Sequence, residues 1–276
     1  MALPRIPLGD GVEIAVDWVE SHFGGLLDLL SSVLGALVGG LKDLLLFLPP
    51  LAMALVIALF VWKVSRRKLK LAAGTLISLL LIESMQLWSL SMETLALVIS
   101  STLVALVIGI PVGILCSRSD GANSMITPIL DLMQTMPSFV YLIPAVIFFG
   151  LGNVPGIIAT VVFAMPPTIR LTNLGIRQVP RDLVEVAEAF GSTPRQKLLK
   201  VQLPLAMPTI MAGVNQCIML SLSMVVIAAM IGARGLGYQV LVGIQRVDIG
   251  TGFEAGLAIV IIAMVLDRIT RSLTRG

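Results

Sequence analysis

Charged residues are scarce in this sequence. Asp, Glu, Lys and Arg make up 13% of the 276 residues, whereas apolar residues make up 57%. A soluble globule of this size needs more polar side chains than that to cover its surface. The scarcity therefore excludes an ordinary soluble domain and favours a chain that lies in a lipid bilayer.

Histidine and cysteine are also rare, with one His and two Cys in the chain. The lone His22 excludes a histidine-based metal cluster. Cys116 and Cys217 both fall at or within apolar segments, where cysteine usually acts as a small buried hydrophobe. No catalytic dyad is visible, so we expect a non-catalytic protein. The net charge of +3 is too small to predict nucleic-acid binding, and the first residues lack the pattern of a cleaved signal peptide.

Long apolar runs, in contrast, are abundant from position 44 onward. A helix needs about 20 apolar residues to cross about 30 Å of hydrocarbon. Only helices and closed barrels satisfy their backbone groups in lipid, and continuous runs such as 95–110 do not alternate as barrel strands do. The sequence therefore predicts an all-α membrane protein.

Seven spans are predicted from the apolar runs: 44–62, 70–88, 92–116, 125–149, 154–169, 208–231 and 253–267. Prolines interrupt the helical hydrogen bonding of the fourth and fifth spans. Kinks or breaks are therefore expected at Pro128, Pro137, Pro144 and Pro155.

The basic residues are concentrated in a few connections between the predicted spans. The loop after the first span has five basic residues and no acid: Lys63, Arg66, Arg67, Lys68 and Lys70. The positive-inside rule marks this loop as cytoplasmic. Alternation of the spans then places 15 of the 19 Lys and Arg residues on the cytoplasmic side. The C-terminus is thus predicted to be cytoplasmic and the acidic N-terminal segment external.

Residues 1–43 have a pattern of their own. Apolar residues recur at steps of three to five from Ile14 onward, while polar residues such as Asp17 and Asp28 occupy the other face. This pattern is typical of an amphipathic helix that lies in the membrane surface, with bends expected at the glycine pairs 24–25 and 39–40. A helix buried against the spans is the alternative.

One connection, residues 170–207, is long and polar. A structureless loop of this length would be unusual in a compact domain, and the pattern predicts two short helices. The first, 181–190, has an apolar stripe of Leu183, Val186, Ala187 and Phe190. Gly191 suits the left-handed turn that ends a helix, and Ser192 or Thr193 can cap the next helix before Pro194.

The spacing in this connection resembles the signature loop of ABC-type importer permeases, written EAA, three residues, G, nine residues and I-x-L-P. Glu185 begins the triplet, Gly191 follows the triplet after three residues, and Leu203 and Pro204 end the pattern. A valine replaces the central alanine of the triplet and another valine replaces the isoleucine. The resemblance implies the type I ABC importer permease fold.

A wider resemblance runs from about Pro4 to Leu273, to the permeases of bacterial glycine betaine/proline betaine uptake systems. It is carried by LDLMQTMPSFVYLIPA at 130–145, FAMPPTIR at 163–170 and LSMVVIAAMIGARGLG at 222–237. The implied organisation is an external segment 1–43, an accessory transmembrane hairpin 44–88, a five-span core 92–267 with the coupling loop 170–207, and a cytoplasmic tail 268–276.

The same resemblance implies a function and partners. The chain is expected to be the multi-pass subunit, in a bacterial plasma membrane, of an ATP-driven, binding-protein-dependent importer of glycine betaine or a related quaternary ammonium osmoprotectant. The implied partners are an ABC ATPase dimer, a second permease copy, an external substrate-binding protein and membrane lipid. No cofactor is expected in this chain, because the ATPase binds ATP and Mg.

The polar connection is expected to transmit motion by docking in a groove of the ATPase. The residues assigned to this coupling are Glu185, Ala187, Glu188, Gly191, Leu203 and Pro204. The alanine and the glycine keep the docked face small, and the glutamates can pair with basic residues of the ATPase. A cytoplasmic hairpin with ordinary surface charges is the alternative.

Some polar and aromatic residues are candidates to line the substrate pathway. Aromatic faces attract quaternary ammonium groups by cation–π interaction, and hydrogen-bond donors suit a carboxylate. The candidates are Gln134, Thr135, Phe139, Tyr141, Asn215 and Ser223. Helix packing and repair of the backbone around Pro137 explain the residues near this proline equally well, and Asn215 and Ser223 can also bond across helices.

Asp131 is the one carboxylate clearly inside an apolar run. Acids within membrane spans are functional suspects, but Asp131 can also pair with Arg170 or cap a broken helix, and a structural role is favoured.

An ion-driven secondary transporter is the rival function. Such a protein requires charged coupling residues at mid-membrane and usually an internal repeat, and the sequence has one candidate carboxylate and no repeat. The glycine-rich segment 232–237 lacks the Gly-Lys-Ser/Thr ending of a phosphate-binding loop, so nucleotide binding is not expected there.

Overall fold

The computed structural model describes residues 8–65 and 68–274. The first seven residues and Arg66, Arg67 and Arg275, which contribute to the predicted orientation, lie outside these ranges. No strand occurs in the described residues, and the all-α prediction is confirmed. The helices are α1 (Leu8–Leu46), α2 (Pro50–Val64), α3 (Leu69–Ser84), α4 (Trp88–Arg118), α5 (Asp120–Thr135), α6 (Leu142–Phe149), α7 (Asn153–Arg177), α8 (Arg181–Ala189), α9 (Pro194–Lys197), α10 (Leu203–Ala229), α11 (Leu236–Arg246) and α12 (Ile249–Thr274).

Among the described residues, five helical stretches are long and apolar enough to cross a membrane: 16–46, 88–118, 153–177, 194–229 and 249–272. A sixth is possible if α5 and the bent segment 138–149 are counted as one span. The predicted spans 44–62 and 70–88 correspond to α2 and α3. These helices have 15 and 16 residues, or about 22–24 Å, which is shorter than the hydrocarbon core.

Helix α1 is longer than the pattern suggested and continues through both glycine pairs without interruption. It ends at Leu46, and α2 begins at Pro50 rather than at residue 44, because proline is accepted in the first turn of a helix but not in its interior. The end of α1 is attached to the bundle through buried Leu34 and Val38 and through an ion pair between Lys42 and Glu93 of α4. The predicted surface location of this segment stays a prediction.

The centre of the protein is the packing of α7 against α4 and α10. Glycines permit this close approach. A Cβ atom at Gly113 of α4 would lie 2.6 Å from Cβ of Thr172 in α7. At Gly213 of α10, a Cβ atom would lie 3.1 Å from Cβ of Leu171. Small residues at helix contacts are the usual means of packing helices tightly in a membrane, where burial of apolar surface adds little.

The ends of α7 and α12 and the presence of α11 differ from the sequence predictions. Helix α7 continues to Arg177 instead of ending at 169, so Arg170 lies within the helix. Helix α12 continues to Thr274, so the described part of the predicted tail is helical. Helix α11, between the last two predicted spans, was not predicted. Apolar runs end at the first charge, but a helix continues where that charge has a partner.

Candidate functional site

Helix α8, the turn after it and α9 form a hairpin at the end of α7, and we call residues 181–202 the coupling hairpin. Gly191 has a φ of +75°, the left-handed conformation expected from the sequence. The amide of Gly191 donates to the carbonyl of Glu188 at 2.9 Å, and that of Ser192 donates to the carbonyl of Ala187 at 3.0 Å. These two bonds form a Schellman motif, which satisfies the last carbonyls of α8.

The second arm starts with a capping box. The Thr193 hydroxyl accepts from the amide of Gln196 at 3.3 Å, and the Gln196 side chain accepts from the amide of Thr193 at 2.9 Å. Of the two residues expected to cap the second helix, Thr193 is therefore the one that does so. After α9 the chain forms a short π-helical segment, Leu198–Gln202, which leads directly into α10. The hairpin is therefore continuous with the long helical stretch 194–229.

The apolar stripe of α8 has two sides. Ala187 is buried and packs inward, whereas Val186 is 52% exposed and Phe190 is 88% exposed. Leu183 is also exposed, at 44%. The hairpin thus presents an apolar patch to its surroundings, and exposed apolar patches mark surfaces that bind another protein or a membrane. Ala187, assigned above to the docked face, supports the hairpin from inside in this structure.

The other predicted coupling residues occupy different environments. Glu188 forms an ion pair with Lys197 of the second arm, so its carboxylate braces the hairpin. Glu185 is exposed and has no ion-pair partner among the described residues. Leu203 is half-buried against the cluster that joins the hairpin to α7, and Pro204 is exposed in the first turn of α10. Of the glutamates, Glu185 is the one available to a partner.

A sharp bend separates α5 from the segment 138–149. The two parts meet at 107°, and the break occurs at Met136 and Pro137, one of the four prolines expected to interrupt a helix. Pro128 and Pro144, in contrast, lie within α5 and α6, and Pro155 lies in the first turn of α7. The hydroxyl of Tyr141 donates to the carbonyl of Met133 across the bend.

The six candidate pathway residues are not all in one place. Gln134, Thr135 and Phe139 are exposed around the bend, and Ser223 is exposed on α10. Tyr141 is buried and braces the bend. Asn215 joins α10 to α12, donating to Asp267 at 3.0 Å and accepting from Thr270 at 2.8 Å. The hydroxyls of Thr135 and Ser223 donate to the carbonyls of Leu132 and Met219 in their own helices, at 3.2 and 3.0 Å. Tyr141 and Asn215 therefore connect different segments of the chain, and the side chains of the other four are exposed.

Asp131 pairs with Arg170 of α7 at 2.5 Å, as the sequence allowed. Two further contacts join the same helices. Asp120 pairs with Arg177 at 2.7 Å, and Asn173 donates to Asn123 at 2.8 Å. These contacts were not predicted, although polar residues three or four apart on both helices carry the signal.

The glycine-rich segment 232–237 serves packing. The amide of Leu236 donates to the Thr94 hydroxyl at 2.8 Å, and the amide of Arg234 donates to Asn153 at 3.0 Å. A Cβ atom at Gly237 would collide with the carbonyl of Val225. The glycines thus let this segment lie directly on α4 and α10.

The chain is similar to known transport proteins in sequence and in fold. Residues 105–276 match the family described as binding-protein-dependent transport system inner membrane component. The chain is 52% identical over 271 residues to the glycine betaine transport system permease protein OpuAB of Bacillus subtilis, covering 98% of this chain and 95% of that protein. It is 50% identical over 270 residues to the glycine betaine/proline betaine transport system permease protein ProW of Escherichia coli, covering 98% of this chain and 76% of that protein.

A third relative is the glycine betaine/carnitine transport permease protein GbuB of Listeria monocytogenes, 49% identical over 99% of this chain and 97% of that protein. Among solved structures, an inward-facing MetNI methionine ABC transporter superposes with a TM-score of 0.60 at 25% identity, covering 68% of this chain and 95% of that one. The fold is that of type I ABC importer permeases, as expected. The chain belongs to the family of inner membrane components of binding-protein-dependent transport systems.

Proposed function

We propose that this protein is the membrane permease of an ATP-driven importer for glycine betaine or a related quaternary ammonium compound. The observation that carries the proposal is the coupling hairpin: a buried alanine, a left-handed glycine and an exposed apolar patch at the spacing of the permease signature. The substrate class follows from the relatives, three of which are named for glycine betaine transport.

The hairpin fits an ATPase partner. Phe190 and Val186 leave their apolar side chains exposed beside the carboxylate of Glu185. A short helix with such a face can lie in a groove of a soluble protein, with the aromatic residue as its anchor. Because the second arm is continuous with α10, closure of two ATPase subunits on ATP moves the hairpin and the spans together.

The family and the exposed apolar surface support the remaining partners in the proposal. A second copy of this chain completes the pathway, an external substrate-binding protein delivers the substrate, and lipid surrounds the spans. The hairpin lies in the cytoplasm, and the N-terminus lies outside. ATP and Mg are bound by the ATPase.

The substrate assignment is tested by reconstituting the complete importer in vesicles. We expect uptake of glycine betaine that requires both ATP and the binding protein, with competition by carnitine, choline or proline ranking the related substrates. Uptake driven by an ion gradient without ATP would contradict the proposal and favour the secondary transporter.

The coupling assignment is tested by truncating the apolar anchor. Phe190→Ala should weaken association with the ATPase by about tenfold or more, as expected for an aromatic anchor at an interface, and should lower uptake accordingly. The matched control is Leu199→Ala, which removes an exposed apolar side chain from the second arm and should change the affinity by less than about threefold. Affinity is measured by titrating purified ATPase onto the reconstituted permease. Equal effects of the two substitutions would contradict docking through α8.

A further inference from the structure

Helix α5 has a polar face and an apolar face. Its polar face carries Asp120, Asn123, Thr127, Asp131 and Gln134, spaced three or four residues apart. On the opposite side Met125, Ile129 and Leu132 are exposed. The apolar side suits lipid or a second copy of the chain. The polar side needs water or polar partners.

The polar face lies along α7, and we call the contacts between them the α5–α7 seam. Its ion pairs are only partly covered. The side chains of Asp131 and Arg170 are 57% and 41% exposed, and those of Asp120 and Arg177 are 89% and 38% exposed. Asp120 and Arg177 lie at the hairpin end of their helices, whereas Arg170 lies about two turns, or about 10 Å, deeper.

An exposed charge at that depth cannot face hydrocarbon. Ionised side chains within membrane spans face the interior of the bundle or a water-filled cavity, because lipid offers them no partner. Helix α7 is one of the stretches long and apolar enough to cross the membrane. The exposed part of the seam therefore faces the interior of the assembled bundle or a water-filled cavity, on the side of the coupling hairpin.

The deepest pair also has spare binding capacity. A single Nη2 atom of Arg170 donates to one oxygen of Asp131, and 41% of the Arg170 side chain is exposed, so a second carboxylate can approach it. A guanidinium binds a carboxylate most strongly through two parallel hydrogen bonds. Asp131, more than half exposed, offers a negative charge to a cation that has no proton to donate.

We propose that the Asp131–Arg170 pair is an exchange site for the zwitterionic substrate on the hairpin side of the pathway. The substrate carboxylate binds the Arg170 guanidinium, and its quaternary ammonium group lies against the Asp131 carboxylate. Arg170 then exchanges the Asp131 carboxylate for the substrate carboxylate, and Asp131 exchanges the Arg170 guanidinium for the quaternary ammonium group. Gln134 and Thr135, exposed one turn further along α5, extend the site toward the bend. This inference rests on the proposed function.

The test distinguishes substrate binding by the two charges from a purely structural role of the pair. In the complete reconstituted importer, the double substitution Asp131→Asn with Arg170→Gln keeps two side chains that can hydrogen-bond to each other but removes both charges. We expect glycine betaine uptake at saturating substrate to fall by about tenfold, the scale of one charge-assisted hydrogen bond, while ATP hydrolysis stimulated by the loaded binding protein stays within about twofold. The control Asp120→Asn alters the outermost carboxylate of the seam and should leave both rates within about twofold.

Each outcome is decisive. Normal uptake by the double variant would overturn the proposal and assign the pair a bracing role. Equal loss of uptake and of ATP hydrolysis would overturn it as well, whether or not thermal stability falls. The wild-type importer in the same experiment reports on the proposed function, since absence of ATP-dependent betaine uptake there would refute that function irrespective of the variants.

A second measurement leaves the ion pair intact. A cysteine replacing Gln134 should react with a membrane-impermeant thiol reagent in inside-out vesicles, and glycine betaine should slow the reaction. A cysteine replacing Ile129, on the opposite exposed face of α5, should not react. Both native cysteines are buried, which keeps the background low. Failure of the position-134 cysteine to react would show that the seam is sealed and would overturn the proposal.

Discussion

Position 191 favours glycine because of backbone conformation and not because of space. Among the described residues, no atom lies within 4 Å of a Cβ atom built there, yet the φ angle is +75°. Residues other than glycine adopt this conformation at a cost of about 1–2 kcal/mol, and asparagine and aspartate adopt it most readily. The turn of the coupling hairpin depends on this angle, because both Schellman hydrogen bonds form around it.

Two substitutions at position 191 should therefore differ in their effects on ATPase association and uptake. Gly191→Val should distort the turn and reduce both ATPase association and uptake, since a β-branched side chain disfavours the left-handed region. Gly191→Asn should retain most of both activities. Membrane insertion should be normal in each case, because the spans are untouched. Pull-down of the ATPase and vesicle uptake measure the difference, and similar behaviour of the two variants would refute the conformational explanation.

At the scale of single elements, the bend between α5 and the segment 138–149 shapes the region of the candidate pathway. Pro137 removes a backbone donor and its ring blocks continuation of the helix. The Tyr141 hydroxyl then closes the bend by donating to the Met133 carbonyl. The bend exposes Gln134, Thr135 and Phe139 around one corner, so the angle determines where these side chains lie.

Removing the tyrosine hydroxyl should loosen that corner. Tyr141→Phe keeps the buried ring but leaves the Met133 carbonyl without this donor, at an expected cost of about 1 kcal/mol. We expect a lower thermal unfolding temperature and slower uptake. Tyr238→Phe is the matched control, because Tyr238 is half exposed and its hydroxyl spans no bend. Thermal unfolding of the detergent-solubilised protein measures both, and equal stability of the two variants would contradict the bracing role.

At the scale of the whole molecule, the location of the N-terminus depends on α1 alone. Helices α2 and α3 form a pair, so they leave the orientation of the core unchanged whether both enter the bilayer or neither does. Helix α1 has an acidic first part, with Glu13, Asp17 and Glu20, and a long apolar remainder that meets the length and composition of a span. A helix on the outer surface leaves the N-terminus outside. A helix that crosses the membrane brings it to the cytoplasm.

Thiol labelling of intact cells decides between these arrangements. We expect a cysteine replacing Asp10 to react with an impermeant reagent, because the acidic end of α1 lies outside in the proposed orientation. A cysteine replacing Lys68, in the connection between α2 and α3, should be protected until the membrane is opened. Protection of the position-10 cysteine, with reaction in inside-out vesicles, would show that α1 crosses the membrane.

Much of this protein was predictable from local sequence. Composition and apolar runs indicated an all-α membrane protein, because a bilayer allows few other solutions. Gly191, Pro194 and the capping positions predicted the hairpin, since caps and turns are decided by neighbouring residues. The spacing of the hairpin and the wider resemblance indicated the permease family, which the comparisons confirm.

Tertiary structure decided the rest. Arg170 ended a span in the sequence but lies inside α7, because Asp131 of another helix neutralises it. Ala187 belonged to one stripe with Phe190 in the sequence, yet the fold buries the alanine and leaves the phenylalanine exposed. Helices, caps and turns follow from interactions between near neighbours in the chain, so the sequence alone predicts them. Which charge is paired and which apolar side chain is left for a partner follow from contacts between distant segments.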